Sequence, residues 1–235
     1  MKNICLAALV IVSMASCEDV EIGNSKDVNP DAIFMQYDIN GEEGGEGHFM
    51  ARFRFAGAKG TTLVLNDSSH FSFDGKQIVV DTTSGSLGAY YGLPITAGDA
   101  VHTADFTDSR GKLYSNKIQF KPFSLLNNLQ EPIGGADLNL SFKGLSDGDK
   151  IMLAISDTSS LENFRDIDTT ITVKNNRIII PQKQLQNLSP GPITIDVSKE
   201  EKTSLQNKTP EGGELTTSYR LQRKDATLKK TQKAN

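Results

Sequence analysis

The clearest structural signal in this chain is an alternation of apolar and polar side chains with a period of two residues. Phe49, Phe53 and Phe55 fall on one side of the pattern, and Arg52 and Arg54 fall on the other. A period of two places successive side chains on opposite faces of an extended strand, so this segment predicts a strand with one buried face. Beyond the N-terminal apolar run, no stretch has a helix-length amphipathic pattern. The chain is therefore predicted to be all-β.

Short segments of the same kind recur along the chain and are separated by Gly, Asn, Asp and Ser. They lie at 62–65, 71–73, 77–81, 101–106 and 113–120 in the first half, and at 138–142, 151–155, 169–173, 177–180, 192–197 and 213–223 in the second. The Asp74-Gly75 pair predicts a hairpin turn, and residues 182–188 predict a short helical turn. About seven short strands in each half, spaced by roughly 8–12 residues, are typical of an immunoglobulin-like β-sandwich.

A break in this rhythm falls between the two halves. Residues 121–135 contain two prolines, an Asn-Asn pair and the Gly134-Gly135 pair, all of which interrupt strands. We therefore predict two tandem immunoglobulin-like β-sandwich domains, over residues 31–124 and 134–224. One larger sandwich or barrel is the alternative.

The N-terminal segment predicts export. Lys2 precedes an apolar run over residues 4–14, which is too short to span a bilayer but suits the apolar part of a signal peptide. The next residues, Met14-Ala15-Ser16-Cys17, resemble the lipobox of bacterial lipoproteins, in which an apolar residue and two small residues precede a cysteine. The resemblance implies that residues 1–16 are a cleaved signal peptide and that Cys17 carries a diacylglycerol and an acylated amino group. The alternative is an ordinary signal peptide with a chance cysteine.

Cysteine usage agrees with a lipoprotein. Of the two cysteines, Cys5 lies in the signal peptide, so Cys17 would be the only thiol of the mature chain and no intramolecular disulfide could form. Several acyl chains would make the anchor stable, because each buried methylene contributes about 0.8 kcal/mol. The predicted partner of Cys17 is therefore a membrane.

The residues after Cys17 bear on location. Glu18-Asp19-Val20-Glu21 resembles the acidic export signal of surface lipoproteins in Bacteroidota, which implies an outer-membrane anchor facing the cell surface or the periplasm. Retention in the inner membrane is the alternative. Residues 17–30 hold few large apolar side chains and predict a flexible tether. Residues 225–235 carry three lysines and predict a disordered tail.

No motif of a known catalytic or cofactor site is present. The sequence lacks Gly-x-Ser-x-Gly, His-Glu-x-x-His and a phosphate-binding glycine loop, so neither an enzyme nor a cofactor is predicted. His48, His70 and His102 have no metal-ligand spacing, so no metal site is predicted. Asp147-Gly148-Asp149 has the composition of an ordinary turn. The formal net charge of −4, without a basic stripe, argues against a nucleic-acid partner.

Tyr90 and Tyr91 are the candidate ligand contacts. Adjacent side chains in a strand face opposite ways, so at least one of these rings should lie off the core, and tyrosine is enriched at interfaces. We therefore predict a membrane-anchored, non-enzymatic binding or adhesion module of the cell envelope, with an envelope protein or a glycan as partner. An envelope hydrolase with a shallow site of strand-end Asp and His residues is one alternative, and a structural spacer is another.

Overall fold

The computed structural model describes residues 21–66, 68–83, 88–98, 100–157 and 166–229. Within these ranges the chain is mostly β-strand, with two 3-10 turns and one short helix, α1 (Gln182–Leu185). The predicted all-β, immunoglobulin-like sandwich fold is confirmed, and the predicted helical turn is present. None of the helices in these ranges is long and apolar enough to cross a membrane. The predicted signal peptide and Cys17 lie outside the described residues.

One large sheet of ten strands runs through both halves of the described chain. Its order is β1 (Ile22–Asn24), β4 (Thr61–Val64), β3 (Gly47–Phe55), β2 (Ile33–Glu42), β16 (Gly212–Arg220), β15 (Gly191–Thr209), β12 (Lys150–Asp157) and β13 (Asp166–Thr172), with β7 (Tyr91–Ile95) beside β3 and β17 (Lys224–Leu228) beside β15. A second sheet holds β6 (Lys76–Gln77), β5 (His70–Phe73), β8 (Val101–Thr107) and β9 (Leu113–Gln119), and a third holds β10 (Ser124–Leu125), β11 (Leu138–Lys143) and β14 (Arg177–Ile180).

Each smaller sheet packs on one part of the large sheet, and this gives two hydrophobic cores. In the first core, rings from β2 and β3 meet rings from the second sheet, with Phe53 and Phe106 at a centroid distance of 4.5 Å. In the second core, Leu153 and Ile155 of β12 pack with side chains of the third sheet such as Leu140. Burial of each such side chain contributes about 1.5–3 kcal/mol, so the alternating apolar positions hold the sheets together.

A hairpin from the C-terminal half completes the first core. The first part of β15 pairs with β12 and β17, whereas its second part pairs with β16. β16 in turn lies parallel to β2, from Gly213 beside Met35 to Arg220 beside Glu42. Leu205 of this hairpin is buried among the side chains of the first core.

The hairpin was only partly predicted. The sequence indicates a strand over 192–197, but β15 continues to Thr209 through a charged segment in which few side chains are buried. Phe120 belongs to the first core and Phe123 to the second, whereas the predicted first domain runs to residue 124. The large sheet nevertheless crosses that boundary, and the division into domains at 31–124 and 134–224 stays a prediction.

Two segments predicted to be flexible are paired in the large sheet. Residues 22–24 of the predicted tether form β1, parallel to β4, and Ser25 is fully buried beside Asn66. Residues 225–228 of the predicted tail belong to β17, which buries Ala226 and Leu228 in the second core. Both corrections have one cause. Strands of three and five residues are too short to show a clear period in the sequence, and their hydrogen bonds are supplied by a neighbouring strand.

Candidate functional site

A row of four aromatic rings joins the two cores. Phe120 and Tyr219 have a centroid distance of 5.7 Å, Tyr219 and Phe123 one of 5.3 Å, and Phe123 and Phe142 one of 6.0 Å, all near edge-to-face. Phe120 belongs to the first core, Phe123 and Phe142 belong to the second, and Tyr219 packs against both. Such pairs contribute about 0.5–1.5 kcal/mol each beyond burial. The row therefore holds the two cores in a defined arrangement.

Two glycines make room for the first ring of the row. A β-carbon at Gly41 would lie 2.5 Å from Phe120 Cζ, and one at Gly47 would lie 2.9 Å from Phe120 Cε1. Real β-carbons do not approach other atoms so closely, so the Phe120 ring lies directly on the backbone of β2 and β3. The absence of side chains at these positions is what allows the Phe120 ring to lie there.

Two clefts open where the cores meet, and Tyr219 lines both. The polar cleft, of about 170 Å³, is lined by residues that include Lys121, Ser146, Asp149, Lys199, Glu201 and Tyr219. The apolar cleft, of about 430 Å³, is lined by residues that include Glu43, Lys121, Pro122, Phe123, Lys143 and Tyr219. The second lies in the size range of small-ligand sites.

The charges of the polar cleft are paired with one another. Lys199 Nζ lies 2.9 Å from Asp149 Oδ1 and 3.3 Å from Glu201 Oε2. Burial raises the pKa of Asp149, but hydrogen bonds from the Ser146 N–H and from Lys199 outweigh it, and the pKa lies below its usual value. Burial lowers the pKa of Lys199, but the two carboxylates more than compensate and it lies above its usual value. The Lys199–Asp149 pair therefore stays charged at neutral pH.

The apolar cleft combines an apolar floor with a cationic rim. Pro122 and Phe123 form part of its wall, and Glu43 is bound by Lys224 at 2.5 Å and by the Gln222 N–H at 3.1 Å. Burial and the nearby Glu43 raise the pKa of Tyr219, so its hydroxyl stays protonated. The floor offers a flat apolar contact, and the rim offers charges that can orient a ligand.

The predicted ligand contacts, Tyr90 and Tyr91, lie outside both clefts. Tyr91 is the first residue of β7, and Tyr90 directly precedes it. Tyr91 is buried in the first core, where its hydroxyl accepts a hydrogen bond of 2.7 Å from the Leu65 N–H, and burial raises its pKa to about 12. Tyr90 faces the other way, next to His48 across Gly92, and donates a hydrogen bond of 2.8 Å to Asp81. Ligand contact by this pair stays a prediction, and Tyr90 is the member with a partly exposed ring.

The histidines are not brought together. His102 Nδ1 lies 2.7 Å from Asp74 Oδ2, and its ring stacks on Phe73. Burial raises the pKa of Asp74, but hydrogen bonds from His102 and from the Thr103 N–H outweigh it. This pair joins the β5–β6 turn to β8 and lines neither cleft. His48 and His70 are exposed, and within the described ranges no group of three or more His, Cys, Asp or Glu side chains could hold a metal ion.

The aspartates of the acidic turns accept backbone hydrogen bonds. Asp149 Oδ2 accepts one from the Ser146 N–H of its own turn, and Asp108, which is fully buried, accepts them from the Arg110 and Lys112 N–H groups. These are hydrogen bonds by which aspartates stabilise tight turns. Asp147 Oδ1 instead accepts a hydrogen bond from the Asn175 N–H of a neighbouring turn.

The sequence does not single out Tyr219. It predicts a strand over residues 213–223, in which Tyr219 is one of several alternating side chains. One local signal does mark the junction, because Phe120 and Phe123 flank the start of the predicted break between the two halves. Apolar aromatic residues at the start of a connecting segment indicate that the connection is packed, but they do not identify the ring that packs between them.

Comparisons with known proteins give no family. No protein-family model matches the chain, and no curated protein matches it. Among solved structures, a tetra-tandem repeat from the extending region of a large adhesion protein is 10% identical, with 84% of this chain and 50% of that chain covered and a TM-score of 0.26. The SGBP-B protein of the Bacteroides ovatus mixed-linkage glucan utilization locus, solved with a mixed-linkage heptasaccharide, is 13% identical, with 79% and 53% covered and a TM-score of 0.20. The chain spans about half the length of each, and TM-scores this low establish no shared function.

Proposed function

We propose that this protein is a lipid-anchored, non-enzymatic binding module of the bacterial cell envelope, and that it binds a glycan at the junction of its two cores. The observation that carries the proposal is the apolar cleft beside Tyr219. A concave, mostly apolar surface with a few polar groups at its edge is the usual form of a small-ligand site. A sugar ring has a flat C–H face that fits an aromatic or proline surface, and hydroxyl groups that reach the rim.

The residues of the two clefts favour binding over catalysis. Of the described residues that line them, none is a histidine or a cysteine. Asp149 is engaged with Lys199 and the Ser146 N–H, and Glu43 is engaged with Lys224. A general base needs a carboxylate or imidazole free to accept a proton near neutral pH, and the lowered pKa of Asp149 opposes that role.

Replacement of Tyr219 tests the position of the site. Tyr219→Leu keeps apolar volume but removes the ring. We expect it to weaken glycan binding about tenfold, because aromatic residues contribute much of the binding energy at such sites. Tyr219→Phe should bind as the wild type does. The measurement is biolayer interferometry of the detergent-solubilised full chain on immobilised cello-, xylo-, manno- and galacturono-oligosaccharides.

Tyr90→Leu is the matched control for this experiment, because it makes the same change outside both clefts. We expect it to bind as tightly as the wild type. Weaker binding by Tyr90→Leu together with unchanged binding by Tyr219→Leu would move the site to β7. No binding of any of the four oligosaccharides by the wild type would reject glycan binding.

The anchor is tested by replacing its cysteine. If Cys17 carries lipid, Cys17→Ser should abolish incorporation of labelled fatty acid and move the protein from the membrane fraction to the soluble fraction. Cys5→Ser is the matched control and should leave both unchanged. A Cys17→Ser protein that still fractionates with membranes, together with a wild type that takes up no fatty acid, would reject the anchor. If the anchor is present, protease treatment of intact cells tests the proposed outer-membrane, surface-facing location.

A further inference from the structure

The unpaired charge at the apolar cleft is positive. Lys121 and Lys143 are exposed at its rim, and among the described residues neither ammonium group forms an ion pair with a carboxylate. The carboxylate that lines the cleft, Glu43, is neutralised by Lys224 at 2.5 Å. The two rim lysines therefore keep their charge for a ligand.

The contrast with the polar cleft is marked, although the two share Lys121, Gly144 and Tyr219. In the polar cleft, Lys199 lies between Asp149 and Glu201, so its cation is already satisfied. The polar cleft sets two lysines, Lys121 and Lys199, against two carboxylates, whereas the apolar cleft has two unpaired lysines and one carboxylate that Lys224 already neutralises. Charge thus selects the apolar cleft for an anionic ligand.

The apolar floor of the same cleft favours a ligand that has an apolar face as well as a charge. Pro122 and Tyr219, both partly exposed, line it with apolar surface above the buried Phe123 ring. A small hydrated anion gains nothing from such a surface. A ligand that uses both parts needs a flat apolar face and an anionic group at its edge. A sugar ring with a carboxylate has both, because its C–H face can lie on the floor while its carboxylate reaches a lysine at the rim.

We propose that the apolar cleft selects an acidic glycan, a chain of sugars with carboxylate groups, over neutral glycans. The proposal rests on the proposed function and names the substrate class of that site. Lys121 and Lys143 contact the carboxylates and the apolar floor contacts the sugar rings. Because lysine ammonium groups act as compact point charges, the lysines contribute to affinity through charge and the contribution falls as salt screens it.

The test compares two probes that differ only at C6 of each sugar: an immobilised galacturonic acid hexamer, which carries carboxylates there, and the same hexamer with its carboxyl groups reduced to uncharged alcohols. The protein is the detergent-solubilised full chain. We expect the wild type to bind the acidic hexamer at least about tenfold more tightly than the reduced one, which corresponds to 1.4 kcal/mol. The Lys121→Gln/Lys143→Gln double variant should lose about this factor for the acidic hexamer and keep its affinity for the reduced one.

A charge-matched control uses Lys76→Gln/Lys183→Gln, which removes two exposed lysines that line neither cleft. It should bind the acidic hexamer as the wild type does. An equal loss of affinity in both double variants would show attraction by net charge alone and would overturn the proposal. The proposal would also be overturned if dextran sulfate bound as tightly as the acidic hexamer. Equal affinity of the wild type for the two hexamers would overturn acidic selectivity and leave glycan binding intact. Binding of neither hexamer nor any neutral oligosaccharide would reject glycan binding itself.

Discussion

Replacement of Leu205 with alanine is expected to lower the free energy of unfolding by about 2–5 kcal/mol. Leu205 lies on the β15–β16 hairpin, is 6% exposed and packs in the first core, among side chains from residues 33–120. Truncation removes buried methyl groups and leaves a cavity that the surrounding rings of the first core can fill only in part. Urea unfolding followed by circular dichroism measures the change.

The exposed leucine Leu126 is the matched control for this truncation. It is 63% exposed, so Leu126→Ala should change the free energy of unfolding by less than about 0.5 kcal/mol. Amide hydrogen exchange shows which strands are destabilised. We expect Leu205→Ala to reduce the protection of amides in β2 and β3. An effect confined to the C-terminal half, or no effect, would mean that the hairpin does not stabilise the first core.

The second large effect is expected at Gly41. A β-carbon there would lie 2.5 Å from the Phe120 ring, on a backbone that an alanine could otherwise adopt. Gly41→Ala must therefore displace Phe120 and disturb its contact with Tyr219, at a cost of about 1–3 kcal/mol in the free energy of unfolding. Because Tyr219 lines both clefts, we also expect weaker glycan binding. Urea unfolding and interferometry measure the two effects.

Gly45 and Phe120 supply the controls for this prediction. A β-carbon at Gly45 would meet its nearest neighbour at 3.6 Å, an ordinary contact, so Gly45→Ala should be close to neutral. Phe120→Leu in the Gly41→Ala background should recover part of the lost stability, because it removes the ring that the new methyl group meets. Additive effects of the two substitutions on the free energy of unfolding would show that the two sites do not interact, contrary to the packing of the Phe120 ring on Gly41.

The Asn116 amide gives one reason why the hairpin could not be predicted from local sequence. Its Nδ2 donates to the Asn207 carbonyl at 2.7 Å, and its Oδ1 accepts from the Asn207 N–H at 3.0 Å, across 91 residues of sequence. These contacts attach the polar end of β15 to β9. Nothing in the sequence near Asn207 shows that a strand partner lies so far away.

The sequence by itself determined the local structure of this protein. Alternation over residues 49–55 is visible because burial in a strand repeats every two residues. The turn at Asp74-Gly75 is visible because the turn needs positive φ, here 51° and 74°, which this pair accommodates. The resemblance of residues 14–17 to a lipobox is also a local pattern, and lipidation of Cys17 remains a prediction.

Only the tertiary structure decided which distant strands pair and what lies between the two cores. The parallel pairing of β2 with β16 joins segments about 180 residues apart and depends on the fit of two surfaces, which neither segment encodes alone. Tyr219 has the same alternating context as Leu215, but it packs against both cores whereas Leu215 packs against the first alone, because β16 carries Tyr219 to the edge where the cores meet. A cleft forms where two packed bodies meet, and its lining is fixed by their relative placement.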